Sequence, residues 1–440
     1  MQRKLAMVAA LGAATALALA GCSSSNPGTG GTTGSGSTDG SSGSTDGGGS
    51  GGDITLDFSQ WWEVELAPGV MRGLMDRFEE ENPGVTVNLI SNPYSATVDL
   101  QTSAAATGTL ACLVAINGAS VYDLKTQGAI TNLSTLMDEA GFDPSTLVSN
   151  DQIDGATYMV RALNFAYPMY YNLDLLEAAG ITKLPETRSE FEDAATKVTN
   201  PDTNVYAWSL PINVQSPAGF DSQSWLWASG GRFLKDRKPN FETPEIANWL
   251  GFLKSQYDAG VITPGAFTQQ EQQKVEEFTA GRNAMMNGSL AHISGIRESN
   301  PDLSFDIGYV PVEDGFTGER GLAGASWGMG IAENCEHKAE AWKLVEFVMS
   351  TDVNSELATE ATGFPGSVDA VPGYVDGDPL YEKAFEVYQN SEFVTELEGL
   401  PNALDLNRNL NENLVRLLQG DATVEETQSS LQEYWTGVLG

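Results

Sequence analysis

A segment made only of small and polar residues divides this chain of 440 residues into two unequal parts. Residues 23–52 contain only Ser, Gly, Thr, Asp, Asn and a single Pro, so no apolar side chain offsets the entropy of ordering the backbone. We therefore expect a flexible linker. The alternation of Ile54, Leu56 and Phe58 that follows is typical of a strand, and it places the start of the folded part at residue 53.

The residues before the linker have the pattern of an export signal. Arg3 and Lys4 precede an apolar run of about 16 residues, which is shorter than the roughly 20 of a membrane-spanning helix. A signal peptide is predicted over residues 1–21. The sequence Leu19–Cys22 resembles the lipobox of bacterial lipoproteins, which implies lipid on Cys22 and a tether over residues 22–52. The alternative is an ordinary signal followed by an unmodified cysteine.

Length and charge limit the classes of protein that remain. About 390 residues follow the linker, more than the roughly 250 to 300 at which one hydrophobic core stops growing, so we expect two domains. The net charge of −36 becomes −38 once Arg3 and Lys4 are removed. Such an acidic excess repels phosphate and anionic lipid, so nucleic acid and anionic substrates are not expected partners.

The few cysteines and histidines indicate export and give no sign of a metal. The chain has three cysteines, and lipid on Cys22 would leave Cys112 and Cys335 as a pair in an oxidising compartment. A disulfide and two buried thiols are both open. Neither His292 nor His337 has a neighbour at metal-ligand spacing, so neither a metal site nor a cofactor is expected.

Hydrophobic periodicity predicts an α/β protein. Val70, Met71, Leu74 and Phe78 fall on one helical face, and this helix lies between strands at 54–58 and 85–89. A third apolar run covers residues 110–116 and also precedes a helical stretch. Strands that alternate with helices in this way predict a parallel sheet.

Three later segments resemble one family. They are, in order, Pro168–Phe191 with its Tyr-Asn, Ala-Gly-Ile and Pro-x-Thr-x-x-Glu-Phe elements, Phe278–Gly288, and Trp327–Ile331 followed by Ala341, Trp342, Phe347 and Thr362–Pro365. They are similar to the signature of family 1 extracellular solute-binding proteins of ABC sugar importers, which are maltose-binding-protein-like. One departure is that Ala111 and Cys112 stand where the family's third strand usually begins with Pro-Asp.

The resemblance implies a two-lobed fold of the type II periplasmic-binding-protein class, with hinge strands that cross between the lobes around a ligand cleft. It places residues 53–162 and 322–365 in the first lobe and residues 163–321 and 366–440 in the second. It also implies a monomer without catalytic residues that binds a sugar or oligosaccharide by hinge closure and delivers it to ABC permease subunits. With lipid on Cys22, the protein would lie at the outer face of the cell membrane.

The same resemblance implies how the cysteines pair. In this fold the strand that returns to the first lobe runs antiparallel beside the third strand, so its end lies near that strand's beginning. We therefore predict a disulfide between Cys112 and Cys335. Such a bond needs Cα atoms within roughly 7 Å.

Candidate ligand residues follow from the position of strand ends, because ligands of open α/β sheets bind at the carboxyl ends of strands. Tryptophan at such ends suits sugars, whose C–H faces stack on indole while Asn, Asp and Glu bond to hydroxyls. Each tryptophan could also be a core residue. Trp61, Trp62 and Glu63 follow the first strand, Asn117 follows the third, and Asn164 and Phe165 follow a strand predicted over residues 158–160 that crosses between the lobes. Trp225 and Trp227 lie in a segment rich in Gly and Ser, and Trp327 precedes the returning strand. These nine residues are the candidates.

Two alternatives to sugar binding remain from the sequence. The acidic composition would suit a cationic solute such as a polyamine, and a peptide or a metal chelate is a further possibility. A secreted glycoside hydrolase would need two carboxylates roughly 5 to 9.5 Å apart across a sugar bond, and the chain has 59 acidic residues but no motif that contains such a pair.

Overall fold

A computed structural model of the protein describes residues 54–150, 152–214 and 220–440. The predicted signal peptide, Cys22 and the linker lie outside the described residues. The strands are β1 (Ile54–Gln60), β2 (Val85–Ser91), β3 (Leu113–Asn117), β4 (Val160–Ala166), β5 (Met169–Asn172), β6 (Tyr206–Trp208), β7 (Leu234–Lys235), β8 (Lys238–Pro239), β9 (Asn283–Asn287), β10 (Phe305–Gly308), β11 (Gly321–Ile331), β12 (Phe364–Pro365) and β13 (Glu392–Val394).

Sixteen α-helices pack around these strands in the described residues. They are α1 (Trp62–Glu65), α2 (Val70–Glu81), α3 (Tyr94–Thr107), α4 (Val121–Thr126), α5 (Leu133–Ala140), α6 (Leu173–Ala178), α7 (Arg188–Val198), α8 (Phe220–Trp227), α9 (Pro244–Asp258), α10 (Glu271–Thr279), α11 (His292–Ser299), α12 (Lys338–Met349), α13 (Thr351–Glu360), α14 (Pro379–Gln389), α15 (Ala403–Gln419) and α16 (Val424–Leu439).

The strands form two main sheets, each of which organises one lobe. The larger sheet has seven strands in the order β12-β4-β11-β3-β1-β2, with β13 beside β11. The smaller sheet has the order β10-β5-β9-β6. The predicted parallel arrangement of the first three strands is confirmed, because β1 pairs in parallel with both β2 and β3.

Successive residues of a single strand point to opposite faces of its sheet, and both faces are buried. In β3, Leu113 and Ala115 belong to one core cluster, while Val114 and Ile116 belong to another on the opposite face. Residues i and i+2 of a strand share a face, so helices cover the larger sheet on both sides. The smaller sheet is covered in the same way by two further clusters.

Two strands connect the lobes. Along β11, Ala323 packs into the main core of the smaller sheet, whereas Met329 and Ile331 pack into the core of the larger sheet. Along β4, Val160 likewise packs with the larger sheet, and Ala166 packs in a cluster beside the smaller one. These strands are the crossing hinge strands that the sequence implies.

Both crossing strands are longer than the sequence predicts, so three candidate residues that were predicted to lie outside the strands lie inside them. Asn164 and Phe165, expected after a strand that ends at residue 160, lie inside β4. Trp327, expected before the returning strand, lies inside β11. The predictions of these strand ends were wrong because the two strands pair with each other, which continues the ladder beyond the local apolar runs.

A disulfide joins Cys112 to Cys335 with a Cα–Cα distance of 4.7 Å. It follows from strand pairing, because β11 runs antiparallel to β3 and the backbone N–H of Ala332 donates to the carbonyl of Cys112 at 2.9 Å. The end of β11 is therefore beside the beginning of β3. This is the pairing predicted from the resemblance.

Candidate functional site

A group of packed aromatic rings lies where β1 ends. Trp62 and Trp327 stack with ring centroids 5.3 Å apart and planes 12° apart, and Trp61 packs edge-on against both. Phe58 and Phe165 complete this aromatic cluster. The sequence places Trp61 and Trp62 directly after an apolar strand, and Trp327 lies on β11, much further along the chain. The structure thus brings four of the candidate residues together.

The aromatic cluster is buried in this structure. Trp61, Trp62 and Trp327 are 1%, 0% and 8% exposed. The indole N–H groups of Trp61 and Trp62 have no hydrogen-bond partner among the described residues. A buried N–H without an acceptor is unfavourable, so these groups are donors to which an acceptor could bind.

Tyr94 covers the cluster on its outer side. Its ring centroid lies 5.3 Å from that of Trp61, yet 47% of the residue is exposed. Asn117, at the end of β3, donates from Nδ2 to the Tyr94 hydroxyl. Enclosure of the hydroxyl group raises the pKa of Tyr94, and the charges of Glu65 and Glu398 raise it further. A half-exposed aromatic side chain thus lies beside the amide of Asn117.

Glu63 is held beside this face. Its backbone N–H donates to Gln60 Oε1 at 2.8 Å, and its carboxylate accepts from the Ser91 hydroxyl, which in turn accepts from Gln60 Nε2 at 2.9 Å. Glu63 is therefore oriented by the ends of β1 and β2. Burial raises the pKa of the neighbouring Glu65 carboxyl.

Another aromatic pair lies in the second lobe. Tyr167, directly after β4, stacks on Phe220 with centroids 4.6 Å apart and planes 18° apart. Burial raises the pKa of Tyr167, and the charges of Glu271 and Asp221 add to that rise.

A buried charge cluster lies behind Tyr167. Lys274 Nζ, which is fully buried, contacts the Asp221 carboxylate at 2.9 and 3.0 Å and Glu271 Oε2 at 2.8 Å. Burial raises the pKa of Asp221 to about 7, and it lowers the pKa of His292, whose Nε2 is 3.6 Å from Glu271, to about 4. Charges at this depth require partners, which indicates that the cluster fixes α8 to α10 and α11.

A polar cavity of about 230 Å³ opens beside Ala119 and Ser120, just beyond Asn117. Helices α3 and α4 of the first lobe and the first turn of α15 enclose it. Gln101, Asp123 and Arg408 are among the polar side chains that line it. This cavity therefore offers hydrogen-bonding groups close in sequence to Asn117.

Three predicted site residues lie elsewhere. Asn164 is fully buried and donates to the Tyr388 hydroxyl at 2.8 Å, on the side of β4 that faces α14. Trp225, on α8, is enclosed in the core by Phe191, Trp208 and Phe252, with centroids 4.6, 5.2 and 4.6 Å away. In this structure pairing of β4 and formation of α8 turn both side chains inward, in contrast to the cleft position predicted for them.

Trp227 has a structural partner as well. It is 1% exposed, and its Nε1 donates to Glu396 Oε2 at 2.6 Å. The segment around it is rich in Gly and Ser, yet residues 220–227 form helix α8. In this structure Trp227 therefore packs in the core of the second lobe.

Sequence reasoning missed Tyr94 and Tyr167, although the same rule could have found both. Tyr94 follows the end of β2, and Tyr167 follows the true end of β4. Tryptophan was the aromatic residue predicted to stack on sugar, and β4 was predicted to end too early for Tyr167 to follow it directly.

Within the described residues, no helix has the length and apolar character needed to cross a membrane. In the same part of the chain, no group of three or more His, Cys, Asp or Glu side chains is arranged to hold a metal ion.

Comparison with known proteins identifies a family model. Residues 64–355 match the model described as bacterial extracellular solute-binding protein. A binding protein of Brucella abortus (strain 2308) is 29% identical over 290 residues, which cover 65% of this chain and 70% of that protein. A binding protein of Brucella suis biovar 1 matches with the same identity and coverage.

Solved structures share the fold across most of the chain. The sugar-binding protein MalE of Xanthomonas citri matches with a TM-score of 0.74 and 18% identity over 88% of this chain and 97% of its own. The cyclic α-maltosyl-1,6-maltose binding protein of Arthrobacter globiformis matches with a TM-score of 0.73 and 19% identity, and the match covers 88% of this chain and 99% of its own. A Thermotoga lettingae solute-binding protein bound to α-D-tagatose matches with a TM-score of 0.68 and 21% identity, over 88% of this chain and 100% of its own.

Proposed function

Because this chain belongs to the family of bacterial extracellular solute-binding proteins, we propose that it captures a sugar or oligosaccharide between its lobes and delivers it to the membrane permease of an ABC importer. The structural neighbours support a carbohydrate, since they bind maltose, cyclic α-maltosyl-1,6-maltose or α-D-tagatose. The family and these neighbours are solute-binding proteins and not enzymes.

The observation that carries the proposal is the exposed ring of Tyr94 above the aromatic cluster. A pyranose ring can stack its C–H face on such a surface, while its hydroxyl groups bond to Asn117 and the nearby carboxylates. Tyr167 and Phe220 would contact the sugar from the second lobe. Trp61, Trp62, Phe165 and Trp327 would support Tyr94 from below, and Glu63 would act at the rim.

Hinge closure would follow from the crossing strands. β4 and β11 extend across the proposed lobe boundaries at residues 162 and 321, so bending at these strands would move the lobes as units. The proposed lobes comprise residues 53–162 with 322–365 and residues 163–321 with 366–440. A ligand that contacts both lobes favours the closed form by its differential affinity, and the permease would recognise that form.

The anchor belongs to the same proposal. Lipid on Cys22, followed by the linker over residues 22–52, would hold a monomeric receptor at the outer face of the membrane within reach of its permease. Replacing Cys22 with Ser should release the protein into the medium without a change in sugar affinity. Loss of sugar binding in Cys22→Ser would contradict this separation of roles.

A cationic solute is a second candidate, because the carboxylates of Glu65 and Glu398 lie close enough to raise the pKa of Tyr94. A polyamine could bind between such carboxylates and stack its methylene chain on the ring. This candidate differs from the first in its salt dependence, since charge pairing weakens as ionic strength rises.

Thermal-shift measurements against glucose, maltose, maltotriose, a cyclic maltooligosaccharide, spermidine and amino acids would decide between them. Stabilisation follows the ratio of ligand concentration to Kd. We expect a shift with at least one sugar and none with spermidine. A shift with spermidine alone would overturn the sugar proposal, and hydrolysis of an oligosaccharide during the incubation would indicate an enzyme.

Tyr94→Ala tests the site directly. Loss of the stacking surface should weaken binding of the active sugar about tenfold, as expected for an aromatic contact worth about 1.4 kcal/mol. Tyr434→Ala is the matched control, because Tyr434 is 43% exposed on α16 at the far end of the chain. Equal effects of the two substitutions on Kd would contradict the placement of the site.

A further inference from the structure

The segment that follows β13 is anchored to the second lobe by Glu396. The Glu396 carboxylate accepts from Trp227 Nε1 at 2.6 Å and from the backbone N–H groups of Phe233 and Leu234 at 2.9 and 3.0 Å. These three residues pack in or against the main core of the smaller sheet. The segment therefore moves with the second lobe.

Two residues later, Glu398 contacts the crossing strands on the side of the first lobe. Its Oε2 lies 2.9 Å from Nη2 of Arg161 on β4, and the Ser326 hydroxyl on β11 lies 3.1 and 3.0 Å from its two oxygens. Arg161 also donates to Thr395 Oγ1. The side chains of Arg161 and Glu398 are only 3% and 12% exposed, so this ion pair is largely shielded from solvent.

Gly118, which follows β3, provides the surface on which Glu398 rests. A Cβ atom at position 118 would overlap Cγ and Cδ of Glu398. The backbone N–H of Gly399 donates to the carbonyl of Gly118 at 3.1 Å. A side chain at 118 would push Glu398 away from Arg161 and Ser326, which requires glycine at this position.

These contacts lie at the edge of the proposed ligand site. Gly118 is adjacent to Asn117, and the charge of Glu398 helps to raise the pKa of Tyr94. Opening of the cleft would carry Gly118 away from Gly399 and pull Glu398 from its partners. Separating a shielded charge from its partners is costly, so this contact opposes opening.

We propose that Glu398 is a clasp between the lobes: its carboxylate, bound to Arg161 and Ser326 over Gly118, holds the cleft closed and slows the release of bound sugar. The part that concerns sugar release rests on the proposed function, whereas the contact between the lobes does not. Glu398 acts as a positioning residue, because it is held against both crossing strands and does not itself contact the sugar.

The clasp can be tested without ligand by hydrogen exchange of the segment 395–402 in the full chain. Glu398→Gln removes the charge at nearly constant size, and Gly118→Ala displaces the carboxylate without altering it. Both should exchange about tenfold faster than the wild type in this segment, which corresponds to about 1.4 kcal/mol. The control is Glu392→Gln, because Glu392 is 50% exposed and pairs with Arg232 on its own side of the cleft.

Release of maltotriose, measured by stopped-flow tryptophan fluorescence, tests the functional part. Both variants should release it about tenfold faster than wild type and Glu392→Gln. Faster exchange without binding of any sugar would support the clasp and contradict the proposed function. Unchanged exchange and unchanged release in both variants would overturn the clasp.

Discussion

Trp62 and Trp327 stack face to face, with centroids 5.3 Å apart, although they are separated by 265 positions in the sequence. One ring follows the first strand, and the other is carried by the strand that returns from the second lobe. This contact fixes the end of β1 against a crossing strand, directly beneath Tyr94. The floor of the proposed site and the hinge are therefore one packed unit.

Trp327→Ala should destabilise the protein by about 3 to 5 kcal/mol, because it removes a large ring that is only 8% exposed and leaves a cavity beside Trp61 and Trp62. Urea unfolding followed by circular dichroism measures this loss. Trp327→Phe keeps an aromatic ring and should lose clearly less. Equal stability of the alanine variant and the wild type would contradict the packing role.

Lys274→Met should cost about 3 to 5 kcal/mol, since it leaves Asp221 buried without its cation. The control is Lys254→Met, because Lys254 pairs with Asp258 in an exposed contact four residues along α9 and should change stability by less than about 0.5 kcal/mol. Similar midpoints for the two variants would show that the charge cluster does not stabilise the lobe.

The buried His292 predicts a dependence of stability on pH. Its pKa is lowered by burial from 6.5 to about 4, so the unfolded chain binds more protons between these values. Stability from this residue is complete above pH 6.5 and is lost as the pH falls to 4. Relative to His292→Asn, the wild type should lose about 3 kcal/mol over that range.

Asp221, whose pKa burial raises to about 7, has an opposite effect, because the folded state binds its proton more tightly. It is present in both the wild type and His292→Asn, so its contribution cancels in the comparison. Chemical unfolding of both proteins at half-unit steps of pH gives the difference. Parallel profiles would contradict burial of a neutral imidazole.

Removal of the disulfide by Cys112→Ala with Cys335→Ala should lower stability by about 2 to 5 kcal/mol, since the bond closes a loop over 223 positions. The urea midpoint is measured for the wild type and for the double variant, each with and without reductant. Reductant should lower the midpoint of the wild type and leave that of the double variant unchanged. A midpoint that is the same in all four samples would contradict a stabilising bond.

The sequence by itself determined the features that local patterns control. Strand and helix periodicity gave the parallel order of β1, β2 and β3. Thr243 and Thr423, a residue type that favours helix N-caps, are the N-caps of α9 and α16. The family signature between residues 168 and 365 indicated two lobes and a crossing strand antiparallel to β3. From that pairing, the Cys112–Cys335 bond followed.

Only the tertiary structure decided which aromatic side chains face the cleft. Trp225 and Trp227, like Trp61 and Trp62, are tryptophans predicted to lie at the cleft, yet the first pair packs into the second lobe and the second pair packs in the first lobe, where Trp61 contacts Tyr94. The length of β4 depends on its pairing with β11, and that pairing fixes Asn164 inward and leaves Tyr167 just after the strand. Such placements arise from contacts between distant segments, so no window of the sequence contains them.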